Sequence, residues 1–115
     1  MKNVCLFGYG VWGKKVYSTL KQIKSINSIQ IIKNRRDKKK IDLNKLDWIL
    51  ITTNTNTHYN IAKKYLNMGI DVFCEKPLTN NIKKDLKLYK IAKKNKCKLY
   101  VSDVENYKKK YLKVL

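Results

Sequence analysis

Apolar residues follow two alternating rhythms along the chain. Residues 2–7 (K-N-V-C-L-F) make a short, β-prone run that ends at a glycine cluster, which predicts a buried strand. Val16, Leu20 and Ile23 then recur at near-helical spacing and predict a helix over 11–24. Residues 28–33 and 47–52 read as the second and third strands. Ile61, Ala62, Tyr65 and Leu66 mark a second helix, with Gly69 where a C-terminal cap belongs. Residues 72–74 predict a fourth strand. Asn81 is a good N-cap for a third helix carrying Ile82, Leu86, Tyr89 and Ala92. Residues 97–101 predict a fifth strand, and 107–115 the start of another helix.

Strands alternating with helices imply an α/β fold: a single Rossmann-like domain with a mainly parallel, five- to six-stranded sheet and helices on both faces. The link from the second strand to Trp48 is short for a crossover, which needs about a dozen residues or more and usually a helix. It is therefore expected to be a shortened second crossover. Asp42 could cap one turn through Leu46, and residues 38–41 could form a small edge strand after a turn at 34–37.

Composition narrows the class. A chain of 115 residues, 43% of them apolar, has room for one domain with a modest core. No apolar run approaches the ~20 residues of a membrane span, and the four apolar residues before Gly8 are too few for a signal peptide. Three unclustered cysteines, Cys5, Cys74 and Cys97, read as reduced core thiols in a cytoplasmic protein, and no metal-ligand spacing occurs. The formal charge is +19, from 25 lysines and two arginines. Lysine scattered over every segment favours a solvated basic surface, touching nucleic acid non-specifically through charge, over dedicated recognition.

Candidate chemistry starts at Gly8-Tyr9-Gly10-Val11-Trp12-Gly13, a G-x-G-x-x-G placed directly after a strand and opening a helix. The first glycine permits the tight turn, the second lets backbone approach a pyrophosphate, and the third lets helix and strand pack closely. About 20 residues on, an acidic residue would bind the ribose 2′-OH of NAD. Lys33 occupies that region, followed by Asn34, Arg35 and Arg36, and both arginines of the chain lie here. Guanidinium groups suit a 2′-phosphate, which tips the expected cofactor slightly toward NADP(H) over NAD(H); an ordinary charged turn accounts for the same residues nearly as well. Residues 52–58 (T-T-N-T-N-T-H) follow the third strand. Their small polar side chains suit ribose and amide groups, or alternatively cap the next helix through Thr55, Asn56 or Thr57. His58 reads as a hydrogen-bonding loop histidine.

Glu75-Lys76-Pro77 follows the fourth strand. V-F-C-E-K-P-L, preceded by T-T-N-T-N-T-H-Y-N-I-A and G-Y-G-V-W-G, resembles the N-terminal domain of the glucose–fructose oxidoreductase/inositol dehydrogenase/MocA (Gfo/Idh/MocA) family. The resemblance covers nearly the whole chain. It implies an NAD(P)-binding domain, residues 1–106, of an oxidoreductase acting on a sugar or cyclitol hydroxyl or carbonyl. Gly8, Tyr9, Gly10, Val11, Trp12 and Gly13 would hold the pyrophosphate. Thr53, Asn54, Thr55 and His58 would lie beside the riboses, and Glu75 would support a ribose or its loop. Lys76 would be the catalytic group, reaching the nicotinamide and the substrate oxygen, with Pro77 after a cis peptide fixing its direction. Asp103, Glu105 and Asn106 are substrate-side candidates.

Family members continue into a second, substrate-binding domain, whereas residues 107–115 only begin the helix that leads to it. The expectation is a truncated or split oxidoreductase with little activity alone, completed by a separate chain or by homo-oligomerisation through the C-terminal helix. The alternatives are a stand-alone dinucleotide-binding regulatory module, with Tyr107, Tyr111, Leu112 and Leu115 as its contact surface, and a basic nucleic-acid binder on a decayed Rossmann scaffold. Intact glycines and E-K-P speak against the last.

Overall fold

The structure, a computed structural model, describes residues 2–34, 37, 41–43 and 45–102. Within them the chain runs β1 (Lys2–Phe7), α1 (Val11–Leu20), β2 (Ile26–Ile32), β3 (Trp48–Ile51), α2 (Thr55–Asn67), β4 (Asp71–Glu75), α3 (Ile82–Lys94) and β5 (Leu99–Ser102). The five strands form one sheet in the order β2-β1-β3-β4-β5, and every pairing is parallel. The expected fold class is therefore the observed one.

That order follows from handedness. Right-handed crossovers that step from β1 to β2 and then, in the opposite direction, from β3 through β5 must place their helices on opposite faces. Alternation along the strands feeds both layers. Cys5, Phe7, Ile49, Ile51, Val72 and Cys74 pack with Ala62, Tyr65 and Leu66 of α2 and Leu88 and Ala92 of α3. Val4, Leu6, Trp48, Leu50 and Phe73 point the other way, toward Val16 and Leu20 of α1. Strands β1 and β3 are apolar at almost every position because both faces are covered. On the α1 side, Trp48 stacks on Tyr100 with centroids 6.0 Å apart and planes at 23°.

The link between β2 and β3 is shortened as expected, and its described residues contain no regular helix. A turn closes it instead: the Asp37 carboxylate accepts from the main-chain N–H of Lys33 (2.8 Å) and of Asn34 (3.3 Å). The Gln30 side-chain amide then pairs with the backbone of Asp42 in both directions. Ile41 and Leu46 reach the α2-side core, so two side chains fill space that a crossover helix would otherwise cover. Of the expected edge strand at 38–41 only Ile41 is described, and it is not in a strand. The turn expected through Leu46 is a single bend, Leu46 N–H to Leu43 O. The expected helix at 107–115 and the surface residues Tyr107, Tyr111, Leu112 and Leu115 lie outside the described residues.

Helix ends follow local chemistry. Gly69, at φ +81°, takes the left-handed position beyond α2, where a side chain would be strained. The Asn81 side chain caps α3 by accepting from Lys83 N–H (2.9 Å) and Lys84 N–H (3.3 Å). One sequence expectation is corrected here. Ile82, Leu86 and Tyr89 are helical but point outward, 75%, 57% and 46% exposed, while Leu88 and Ala92 form the buried face. Two apolar stripes run along α3, and contact with α2 selects the other one.

Candidate functional site

The chain reverses its winding direction between β1 and β3, and the groups singled out from sequence gather at the carboxyl ends of those strands. Ligands in open α/β sheets bind at such a crevice. Gly8 leaves β1 with φ +103°, and a Cβ there would stand 2.6 Å from Thr52 Oγ1. A Cβ on Gly13 would lie 2.3 Å from Gly8 O, so α1 can approach the turn this closely only with glycine. Gly10 differs: a Cβ there would meet nothing within 4 Å. Its open side faces space at the start of α1, where no side chain caps the helix and no acid occupies the first turn. The first N–H groups of a helix lack intrahelical acceptors and carry the positive end of its dipole. An uncapped turn with open backbone beside it is an anion cradle of the kind a pyrophosphate needs. Val11 is exposed on this first turn, and Trp12 is half-buried beneath the Lys15 ammonium (5.6 Å to the ring centroid).

Beside the cradle lies a cleft of about 350 Å³, within the usual range for small-molecule sites. Phe7, Ile32 and Ile61 give it an apolar floor, and Asn34, Thr53, Asn56, Thr57 and Asn60 supply amide and hydroxyl groups. Lys33 stands at its edge, with the ammonium 4.8 Å from the Tyr9 ring centroid; Lys14 approaches the same ring to 5.7 Å. Tyr9 also packs edge-on against Tyr17, centroids 5.8 Å apart. The aromatic face attracts cations, so two ammonium groups meet where β1 and β2 end. The nearest acid in sequence, Asp37, is turned into the loop's own N–H groups. Arg35 and Arg36 lie outside the described residues.

The loop after β3 is self-bonded. Thr52 Oγ1 donates to Phe7 O (2.9 Å), Thr53 and Thr57 share a 2.6 Å hydroxyl contact, and Thr57 Oγ1 donates to Asn54 O at 2.6 Å. Helix α2 begins at Thr55 with Asn54 at the N-cap and no side-chain cap. Capping by Thr55, Asn56 or Thr57 is thereby corrected: Thr57 instead closes the turn onto a carbonyl, and Asn56 turns to the cleft. His58 is 1% exposed and does not line the cleft; both ring nitrogens meet main-chain carbonyls of two loops. Its expected place beside a ribose gives way to the loop-bonding role.

At the end of β4, Glu75 is paired in register with Ser102 of β5. The Ser102 hydroxyl is buried without a hydrogen-bond partner. Lys76 is exposed, the Lys76–Pro77 peptide is cis, and Leu78 anchors the loop in the core. Burial pushes the Cys5 thiol up to about 12 and also raises Cys74, where the charges of Glu75 and Asp85 add to the effect. Neither thiol is a nucleophile at neutral pH. Among the described residues no cluster could hold a metal ion, and no helix is long and apolar enough to cross a membrane. Asp103, Glu105 and Asn106 lie outside the described residues.

Sequence reasoning missed the cleft floor and the α2 contribution. The Asn56–Asn60 spacing (i, i+4) put both amides on one helix face, a signal readable once the helix start was known. Lys33 had been noted only as the residue occupying the acid's place.

A wholly parallel, doubly wound sheet with an uncapped glycine turn at its switch point defines a dinucleotide-binding domain. Residues 16–103 match the family model described as an oxidoreductase family with an NAD-binding Rossmann fold, Gfo/Idh/MocA. The chain belongs to that family, and what it binds is a nicotinamide dinucleotide. Among solved structures it is similar to a Gfo/Idh/MocA family oxidoreductase from Vibrio cholerae (23% identity, TM-score 0.75, 89% of this chain and 38% of that one). It is also similar to biliverdin reductase from Synechocystis sp. PCC 6803, solved with biliverdin and NADP+ (18%, 0.77, 90% and 37%). An NAD binding oxidoreductase from Klebsiella pneumoniae shares the fold as well (17%, 0.73, 88% and 34%). At these identities the likeness shows the fold. No curated protein sequence matches the chain. The chain spans about a third of the length of the structures it resembles.

Proposed function

We propose that this domain binds NADP(H) in preference to NAD(H) and serves an oxidoreductase acting on a sugar or cyclitol hydroxyl or carbonyl group. One observation supports the cofactor choice above the rest: Lys33, not a carboxylate, stands at the end of β2 beside the cleft, while Asp37 is occupied by the N–H groups of Lys33 and Asn34. A 2′-phosphate gains a charge-assisted contact there that a 2′-hydroxyl cannot match. The open backbone at Gly10 and the first-turn N–H groups of α1 would take the pyrophosphate, and Thr53, Asn54 and Thr55 a ribose. Glu75 would support the loop that carries the nicotinamide end.

The bound nicotinamide supplies or accepts the hydride. Lys76, exposed at the end of β4, would hold its ammonium toward the substrate oxygen, polarising a carbonyl or steadying an alkoxide. Near-attack geometry also requires the substrate to be held. Turnover is therefore assigned to this domain together with substrate-binding groups on another domain, a separate chain or a second copy. The 115 residues alone are expected to bind cofactor and turn over little.

Calorimetric titration with NADPH and NADH, at physiological and raised salt, tests the reading against a polyphosphate control. NADPH should bind saturably, one per chain, and survive salt better than polyphosphate. Lys33→Glu should weaken NADPH by roughly 10- to 100-fold, the loss of one charge-assisted bond of about 1.5–3 kcal/mol, with a far smaller effect on NADH. Equal affinity for the two dinucleotides in the wild type would refute the NADP preference. Loss of every ligand together with salt would refute the site.

A further inference from the structure

The chain has a single histidine, and its surroundings are unusual for a neutral ring. His58 Nδ1 lies 3.0 Å from Pro77 O and 3.1 Å from Leu78 O, while Nε2 lies 2.8 Å from Thr53 O. Carbonyl oxygens only accept, and a neutral imidazole has one N–H. A neutral ring would therefore turn a nitrogen lone pair onto a carbonyl on one side or the other. With 1% of the residue exposed, water cannot relieve that conflict. Both sides are satisfied together only when both nitrogens carry hydrogen.

We propose that His58 is held with an N–H at both ring nitrogens and acts as a positioning residue, clamping the loop at 52–54 to the loop at 76–78. Its consequence for chemistry rests on the functional reading above, because these loops carry Thr53 on the ribose side and Lys76 on the reacting side. Opposing the second proton are the positive N-terminus of α2, in whose first turns His58 lies, and the basic surface. Favouring it are three short, desolvated bonds from a cationic donor. The titratable groups on the elements packed around the ring are Cys74, Glu75 and Lys76 on the β4 side, Asp85 on α3, and Tyr59 and Lys63 on α2. The ring's hydrogen-bond partners among the described residues are all carbonyls.

Histidine labelled with nitrogen-15 gives one pair of ring signals, because there is one histidine. In the protein without dinucleotide, both nitrogens should show the protonated signature at neutral pH. As the pH is raised, the ring signals and the amide signals of Thr53, Lys76 and Leu78 should move in one shared transition. An unprotonated ring nitrogen at neutral pH overturns the proposal. So does loss of the ring proton while those amides stay in place, since a merely structural histidine would behave that way. His58→Gln, which offers donors from one nitrogen only, should shift the Thr53 and Lys76 amides; if it does not fold, the wild-type titration decides. Adding NADPH to the same sample separates the two readings. A coupled transition without NADPH binding refutes the dinucleotide assignment alone, and binding beside an unprotonated ring refutes the clamp alone.

Discussion

Gly10→Ala separates binding from folding, because the structure gives the new methyl group no neighbour to strike. The residue sits at φ −76°, ψ −163°, extended backbone that alanine adopts freely, and nothing lies within 4 Å of its would-be Cβ. Two small terms then oppose each other. Reduced freedom of the unfolded chain stabilises by about 0.4–1 kcal/mol, and loss of the N-cap preference for glycine over alanine costs up to about 1 kcal/mol. The net is near zero, so the Tm should stay within roughly 4–8 °C of wild type. Binding should respond quite differently. A methyl group in the cradle holds a phosphate off the first-turn N–H groups, removing one charge-assisted hydrogen bond of about 1.5–3 kcal/mol, a roughly 10- to 100-fold loss in affinity. Gly13→Ala is the contrasting variant. Its Cβ would stand 2.3 Å from Gly8 O, where ordinary contact begins at 3.4 Å, so α1 must withdraw by about an ångström. Overpacking of about 1–3 kcal/mol exceeds the ~1 kcal/mol helix-propensity gain, and both Tm and affinity should fall. Calorimetric titration and thermal unfolding of the three proteins decide the matter. Wild-type affinity in Gly10→Ala would refute the cradle, and a Tm collapse in that variant would refute the account of the local packing.

The remaining expectations concern stability. Asn81→Ala removes an acceptor used by two main-chain N–H groups and should cost about 1 kcal/mol, read as a lower denaturation midpoint with an unchanged slope; Asn81→Asp should retain most of it. Burial raises the Cys5 thiol from 9.0 to about 12, so above about pH 9 the unfolded chain binds fewer protons than the folded one. This contribution to stability is complete below pH 9 and is lost as pH rises toward 12, which unfolding at a series of alkaline pH values should show. In the native protein an alkylating reagent should modify half-buried Cys97 before Cys5 or Cys74; equal labelling of all three would contradict the packing.

Much of the site was legible because its requirements are local. A glycine that must turn at φ +103°, a glycine that must touch the preceding turn, and Glu75-Lys76-Pro77 after a strand are imposed over a few residues, so they appear as motifs. The cleft was not legible in this way. Phe7, Ile32 and Ile61 come from three different elements, and each reads as ordinary core until the strands are set side by side. His58 shows the same limit. Its sequence position suggested a ribose neighbour, but the partner carbonyls at Thr53, Pro77 and Leu78 are brought together only by the parallel pairing of β3 with β4.

By itself, then, the sequence determined the alternation of strand and helix, the two-faced apolar strands, the glycine turn and the reduced core thiols, because these depend on periodicity and on backbone freedom within one segment. Tertiary structure decided which of two apolar stripes on α3 is buried, Leu88–Ala92 over Ile82–Leu86–Tyr89. It also decided that Asp37 serves its own loop, leaving Lys33 at the mouth of the cleft. Such choices turn on what lies across the gap between elements: a helix cannot select its face, nor a carboxylate its donor, until the neighbouring element is in place.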